Sequence, residues 1–472
     1  MLEDLEPLIG EAMAEWRIPG LAIALVRGSD AVEMKGYGRR DVEADLPVTT
    51  DTQFRLCSIT KSFTAAGLGT LVDEGRLKWS SHVRDFLPEF RLHERIADDE
   101  MKIRDLLSHH SGMPPHEWVW MPGDLSREQM LASLRYLEPS CGLRECFQYL
   151  NLGYLALGLV AERIGGQSWE DFTRERVLAP LGIRKFSFSR DYLEQEGDAA
   201  RPYAMIGSQW QRARMWPIRD TPAGGLNTSI AGLARWVQCL LGGGRCDDVR
   251  VLSNDVVQAM QAPRVYAGPA KAPNVGHLHY GFGLASHSYR GEWVVGHSGD
   301  WIGWGALMMM LPERGLGVAV LTNRDPSPGP EVVAYAALDL MCGRDRLPWL
   351  QRQRAHEAEG REQSTQADRL GQQVPNRPLT DYAGVYKHPA YGRMTILVRG
   401  EALLWSWRGM HAQLDHRHYD VFSLPARAGE LFPQRLSLTF GYDGAGAISW
   451  LMAPLEPKVS DIRFDRVANA EP

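Results

Sequence analysis

Apolar residues run from Leu21 to Val26 and recur from Ala31 to Tyr37 between glycines, a pattern that predicts a β-hairpin near the start of the chain. Phe63, Leu68, Leu71 and Val72 then fall at helical spacing and predict a helix that starts around Ser58 and runs to Asp73. A second helix is predicted after Asn151, where Leu152, Tyr154, Leu155, Leu157, Leu159, Val160 and Ile164 lead to the stop signal Gly165-Gly166. Strand-like runs return at Trp293 to Gly296, Ala306 to Leu311 and Val318 to Thr322. Strands at both ends of a helical middle predict an α+β fold in which early and late strands share one antiparallel sheet, with helices over both faces.

The pattern changes after residue 345. Residues 351–378 are polar, charged and nearly free of large apolar groups, which predicts an exposed helical linker. Beyond Pro378 short alternating runs appear, among them Met394 to Val398, Leu403 to Trp407, Leu436 to Phe440 and Ile448 to Met452, with turn signals at Arg399-Gly400-Glu401 and Asp443-Gly444. About eight such strands would close a small antiparallel barrel. The expected organisation is therefore residues 1–345 as one domain, 346–378 as linker and 379–472 as the barrel domain.

Composition narrows the function classes. With 472 residues, 44% of them hydrophobic, the chain can bury a large core and exceeds one domain. A net charge of -6 without a long basic run points away from nucleic acid and anionic membranes. The start, Met1-Leu2-Glu3-Asp4-Leu5-Glu6, has neither a positive nor an apolar leader region, and no 18-residue apolar span occurs, so a cytoplasmic protein is expected. The six cysteines, Cys57, Cys141, Cys146, Cys239, Cys246 and Cys342, show no metal-type clustering and are expected to be free thiols. Cys57 is expected to be a small packing residue.

Candidate chemistry starts at Ser58-Ile59-Thr60-Lys61. A serine hydroxyl needs a proton acceptor within hydrogen-bond reach, and positions i and i+3 of a helix share a face. Ser58 at a helix start would keep its backbone N–H outside the helical ladder, ready to stabilise an oxyanion. Lys61 must be neutral to accept a proton, which burial can arrange. The same short pattern also occurs on solvent-facing helix surfaces. Only Lys61 among the lysines has a serine three positions earlier.

Two further motifs follow in order. Tyr149-Leu150-Asn151 sits where a loop enters the second helix; a phenol there can move protons and an amide can orient the lysine or a substrate carbonyl, although a core tyrosine and a capping asparagine fit as well. Gly296-His297-Ser298-Gly299-Asp300 continues a strand, and its small residues would let a substrate backbone lie along the edge. His297 would then face the serine and lysine, where it can bind a substrate carboxylate or tune proton transfer; a turn histidine without a role is the plainer alternative.

In this order, S-x-x-K, Y-x-N and H-x-G resemble the serine beta-lactamase and penicillin-binding-protein superfamily. The Y-x-N form is similar to its class C, DD-peptidase and esterase branch, as are Leu106-Leu107-Ser108-His109-His110-Ser111-Gly112, Pro180-Leu181-Gly182 and Pro222-Ala223-Gly224-Gly225-Leu226. Leu379-Thr380-Asp381-Tyr382-Ala383-Gly384-Val385-Tyr386 resembles the start of the lipocalin-like barrel appended to many stand-alone members. The resemblance implies a beta-lactamase/transpeptidase-like sheet with a helical subdomain. It also implies Ser58 as acyl-accepting nucleophile, Lys61 as base, Tyr149 as proton relay, Asn151 as the positioner of Lys61 and substrate, and His297 in place of the K-T-G lysine. The oxyanion hole would be the N–H groups of Ser58 and Asp300, the latter from strand geometry. Gly299 and the Gly224-Gly225 loop would border the substrate, and His109 and His110 would be structural.

No metal or cofactor is implied. The expected ligand is a small-molecule or peptide substrate, with neither nucleic acid nor membrane as partner; a homo-oligomer is compatible with the chain. H-x-G members are more often D-aminopeptidases, D-residue peptidases or esterases, so poor beta-lactam turnover is expected. The implied reaction is hydrolysis of an amide or ester of a small or D-configured substrate. Its alternative is a thioesterase or acyltransferase that releases or cyclises nonribosomal peptides, and a beta-lactamase or a non-catalytic binding protein rank below both. Loops at His116 to Asp124 and Trp210 to Asp220, with Trp118, Trp120, Trp210 and Trp216, are read as shaping an apolar pocket or as domain packing. Arg463 or Arg466 of the barrel would reach a substrate carboxylate, or else lie on its solvated face.

Overall fold

A computed structural model describes the chain except residues 29–30, 196, 207–208, 214–219, 270–273, 325, 363–373, 425–435 and 468–472. Trp216 and the middle of the polar linker thus lie outside the described residues.

The early hairpin forms as β1 (Gly20–Arg27) and β2 (Ala31–Asp41), continued by β3 (Leu46–Pro47). Six later strands complete the sheet: β4 (Val265–Gly268), β5 (Leu278–Tyr280), β6 (Ala285–Tyr289), β7 (Glu292–Trp301), β8 (Trp304–Leu311) and β9 (Leu316–Thr322). Among the described residues the order is β4-β5-β6-β7-β8-β9-β1-β2-β3. β1 and β9 join antiparallel with Leu21 opposite Thr322, which brings the early hairpin and the late strands of this domain into one sheet.

Alternation along β1 decides what covers each face. Leu21, Ile23 and Leu25 enter a core with α1 (Leu2–Glu15) and the late helix Gly329–Met341, while Ala22, Ala24 and Val26 enter the larger core on the other side. That second face holds α2 (Thr60–Asp73), α3 (Asn151–Gly165) and α4 (Ile230–Leu241). Its small alanines let α4 approach β1 and β9 closely. α2 is buried along nearly its whole length, so it is a central helix rather than an amphipathic surface one.

After the helix Trp349–Glu362, eight antiparallel strands among the described residues, from Gly384–His388 to Ile462–Arg466, close a barrel. Its wall is filled from inside by large side chains, including Trp405, Trp407, Phe422, Phe440 and Phe464. Among the described residues, no helix is long and apolar enough to cross a membrane.

One sequence expectation is corrected here. Cys141 and Cys146 are joined in a disulfide, with Cα atoms 6.4 Å apart, in the loop that leads to Tyr149. Cys57, Cys239, Cys246 and Cys342 are free thiols.

Candidate active site

Ser58 lies in a single 3-10 turn, Cys57–Ile59, directly before α2. Cys57 takes a left-handed backbone, φ +48°, which costs an L-residue energy and turns Ser58 out of the buried strand-to-helix connection. The Cys57 thiol is buried and pushed up to about 12, so it stays protonated and packs.

One turn further, Lys61 Nζ is 3.0 Å from Ser58 Oγ and 2.8 Å from the carbonyl oxygen of Ala223. Lys61 is fully buried, and loss of hydration lowers its pKa from 10.5 to about 7. A neutral amine there donates to Ala223 and has its lone pair available to the Ser58 hydroxyl. The loop that supplies Ala223 is tied to α2, since Thr64 Oγ1 donates to Pro222 O and Leu226 N donates to Thr60 Oγ1.

Tyr149 interacts with the Ser58 side chain, and its ring centroid lies 4.7 Å from Lys61 Nζ. Burial raises the phenol's pKa, so it is a neutral O–H donor at ordinary pH. His109 braces this ring at 4.2 Å and accepts from the Leu150 N–H through Nδ1, which fits its structural reading. Asn151 opens α3, but its amide donates to Glu117, at 3.2 and 3.4 Å from the two carboxylate oxygens. Its expected bond to Lys61 is absent; among the described residues the lysine's hydrogen-bond partners are Ser58 and Ala223.

β7 forms the opposite wall. β6 pairs with β7 only as far as Gly296, leaving residues 297–301 as an edge beyond it. The two-residue turn after Trp301 pairs it with Trp304, and alternation from that closing pair aims the N–H of Asp300 away from β8, on the same side as the edge. Gly299 faces the nucleophile's turn: a Cβ there would stand 2.2 Å from Leu56 O and 2.9 Å from Ser58 N. Gly299 is therefore packed against protein rather than open to substrate. We expect Gly299→Ala to push the strand off Ser58, costing about 1–3 kcal/mol of stability and at least tenfold in activity. Paired thermal melts and active-site labelling rates check this.

His297 departs from its carboxylate-binding expectation. Nδ1 bonds Ser298 O, and Nε2 lies 2.7 Å from the Tyr280 hydroxyl. Burial and the nearby Lys61 lower its pKa to about 3, so the ring is neutral with both nitrogens occupied. No ring nitrogen is left for a substrate carboxylate.

The cavity these groups border measures about 300 Å³ and is lined by Ser58, Tyr149, Asn151, Gly224 and Asp300, with Glu117, Arg55, Trp120 and Trp301 added. Gly225 instead stabilises the turn before α4, its N–H donating to Thr221 O. Of the tryptophans, Trp120 borders the cavity, Trp118 lies against Trp407 of the barrel at 5.8 Å, and Trp210 is exposed and donates to Arg17 O. Arg466 binds carbonyls within the barrel and Arg463 pairs with Asp465, so neither reaches the cavity.

Three groups escaped the sequence reading. Glu117 lies in the tryptophan-rich loop, and burial raises its carboxyl to about 7 against the opposing pull of Lys61. A lone carboxylate inside His116-Glu117-Trp118-Val119-Trp120 was the available signal. Tyr280, which holds His297, carries no local motif. Arg55 pairs with Asp220 at 2.6 Å and, among the described residues, retains Nη1 without a hydrogen-bond partner at the cavity wall.

Comparison with known proteins agrees with this architecture. A family model described as beta-lactamase matches residues 5–341, and one described as a domain of unknown function, DUF3471, matches 368–466. The unguisins hydrolase of Aspergillus campestris is 28% identical over 84% of this chain and 77% of its own length. Protein flp of Staphylococcus aureus is 24% identical over 71% of this chain and 65% of its own. The octameric penicillin-binding protein homologue of Pyrococcus abyssi superposes with TM-score 0.64 at 26% identity, covering 98% of this chain and 99% of that one. A class C beta lactamase of Rhodobacter sphaeroides shares the fold with TM-score 0.58 at 20% identity, over 71% of this chain and 97% of that one.

Proposed function

The chain belongs to the beta-lactamase family and is a hydrolase of that family's general type, and on this premise we propose that it cleaves amide or ester bonds of small or D-configured substrates through an acyl-Ser58 intermediate. The observation that carries this reading is the buried amine of Lys61, with a pKa near 7, 3.0 Å from the Ser58 hydroxyl oxygen.

In the first step Ser58 attacks the substrate carbonyl while its proton moves to neutral Lys61. The oxyanion is held by the Ser58 and Asp300 N–H groups. The leaving amine or alkoxide takes a proton from Tyr149, which recovers one from Lys61, so the proton count closes. Water then attacks the ester while Lys61 takes its proton; the acyl–Oγ bond breaks, the acid leaves, and Ser58 Oγ takes the proton back from Lys61. His297 acts as a neutral brace for this wall, and Arg55 Nη1 is the donor offered to a substrate oxygen. Nitrocefin turnover should be slow, because the histidine supplies no cation where K-T-G enzymes have a lysine.

The test is product analysis across D- and L-aminoacyl esters, amides and thioesters, with and without an added amine. Free acid is the expected product, with amides and esters of D-residues turned over faster. Amide or cyclic product would replace hydrolysis by acyl transfer, and no turnover of any panel member would contradict the substrate class. The Pyrococcus abyssi relative is octameric; we extend a homo-oligomer to this chain as part of the same reading, with static light scattering as its check.

A further inference from the structure

Residues 116–124 are gripped by the barrel at both ends. His116 is fully buried in a left-handed conformation, φ +44°. Its Nδ1 lies 2.7 Å from the Tyr391 hydroxyl, its Nε2 lies 2.9 Å from Glu138 O, and its backbone N–H donates to Glu456 at 2.8 Å. At the other end, the buried Arg408 donates through Nε to Asp124 at 2.8 and 3.0 Å, and through Nη1 to the carbonyls of Trp118 and Val119 at 2.7 and 2.9 Å. Tyr391, Arg408 and Glu456 all belong to the barrel. Between these anchors stands Glu117, with its carboxylate on the Asn151 amide.

A buried carboxylate is costly, and a non-glycine residue held at positive φ adds to that cost. The segment tolerates both because barrel contacts over-determine it. The step that gains is proton transfer to Lys61, which creates an ammonium in a buried site. Glu117 interacts electrostatically with that ammonium and holds the Asn151 amide through its carboxylate oxygens. We propose that Glu117 is a positioning residue for acylation, steadying the Lys61 ammonium and orienting Asn151, and that the barrel acts on the reaction through its grip on the Glu117 segment. This rests on the acyl-Ser58 reading. The charged groups facing Glu117 are Lys61 from α2 and Glu456 from the barrel; Asp300 from β7 and Arg55, the latter paired with Asp220, border the same cavity.

The sign of the pH effect follows from the two groups. A carboxylate near Lys61 favours its charged form and raises its pKa, so removing the carboxylate lowers it. The experiment is the rate of fluorophosphonate labelling of the full chain against pH, followed by intact mass. In wild type the rate rises through the ionisation of Lys61. Glu117→Gln should move this limb to lower pH by about one unit and lower its plateau about tenfold, because the weakened base pulls less on the serine proton. Arg408→Ala should shift the limb in the same direction, and the double variant should lose no more than Glu117→Gln alone. Arg463→Ala, on the barrel's outer face, serves as the control and should match wild type.

If Arg408→Ala fails to fold, Tyr391→Phe, which removes the hydroxyl from His116, takes its place. An unshifted limb in Glu117→Gln, or losses that simply add in the double variant, would overturn the inference while leaving the nucleophile intact. Wild type that never labels would overturn the acyl-Ser58 reading, and this inference with it.

Discussion

Ser58→Ala should keep the fold and lose turnover by on the order of 10⁵-fold or more, the scale seen when a covalent nucleophile is removed from a preorganised site. Among the described residues, Lys61 Nζ and Tyr149 are the hydrogen-bond partners of this hydroxyl, and Lys61 should keep its 2.8 Å bond to Ala223 O in the variant. The buried core of α2 is untouched, so circular dichroism and the melting temperature should stay within a degree or two of wild type, as the loss of one half-buried hydroxyl oxygen at a cavity wall predicts. Loss of activity together with loss of folding would mean that the serine is structural. Retention of more than about a hundredth of wild-type rate would mean that another group makes the acyl bond.

Removing the base has the second largest effect, and its sign in pH is specific. Lys61→Met keeps the length and apolar stem of the side chain while deleting the amine. Rate should fall by about 10³–10⁴-fold, and the rise in activity through pH 7 that reports the neutral lysine should vanish. Stability should move the other way. The folded-state pKa of Lys61, about 7, lies below its ordinary 10.5, so between these values the unfolded chain binds the extra proton. The stabilising contribution of the group is thus complete above pH 10.5 and is lost as pH falls through about 7. Methionine carries no such penalty, so the variant should be more stable than wild type near pH 6, by at most about 5 kcal/mol from the size of the displacement. Denaturant melts at pH 6 and pH 10 check this: a stability gap that widens towards low pH agrees, and one that is flat contradicts the buried-amine account. Glu117 opposes part of the effect, because its raised carboxyl pKa loses stability in the reverse direction as pH rises.

Local periodicity carried most of what the sequence could say. The i, i+3 spacing of Ser58 and Lys61 needs only the first turn of a helix to become a 3.0 Å contact. The late strands were readable because β8 and β9 are continuous apolar runs buried on both faces, and counting along β7 placed Asp300 beyond Gly299. What stayed hidden depends on contacts between distant segments. Glu117 meets Asn151 across 34 positions, and its segment is held by Arg408, which bonds Asp124 across 284 positions and the carbonyls of Trp118 and Val119. His297 loses its freedom to bind a carboxylate only because Tyr280, two strands away in the sheet order, takes Nε2. The Cys141–Cys146 bond was hidden for a different reason: a spacing of five residues permits either a bond or two thiols, and the loop's path decides. The appended barrel was visible as a strand pattern, while its grip on the 116–124 segment required side chains on both partners.

The most direct test of the acyl-Ser58 account is peptide mapping by mass spectrometry after acid quench of the enzyme with a slowly turned-over ester. The account predicts an acyl adduct confined to the peptide containing Ser58, absent in Ser58→Ala and accumulating faster above pH 7 than below it. An adduct on any other residue, or turnover of the ester with no adduct trapped on Ser58 at any pH, would contradict it.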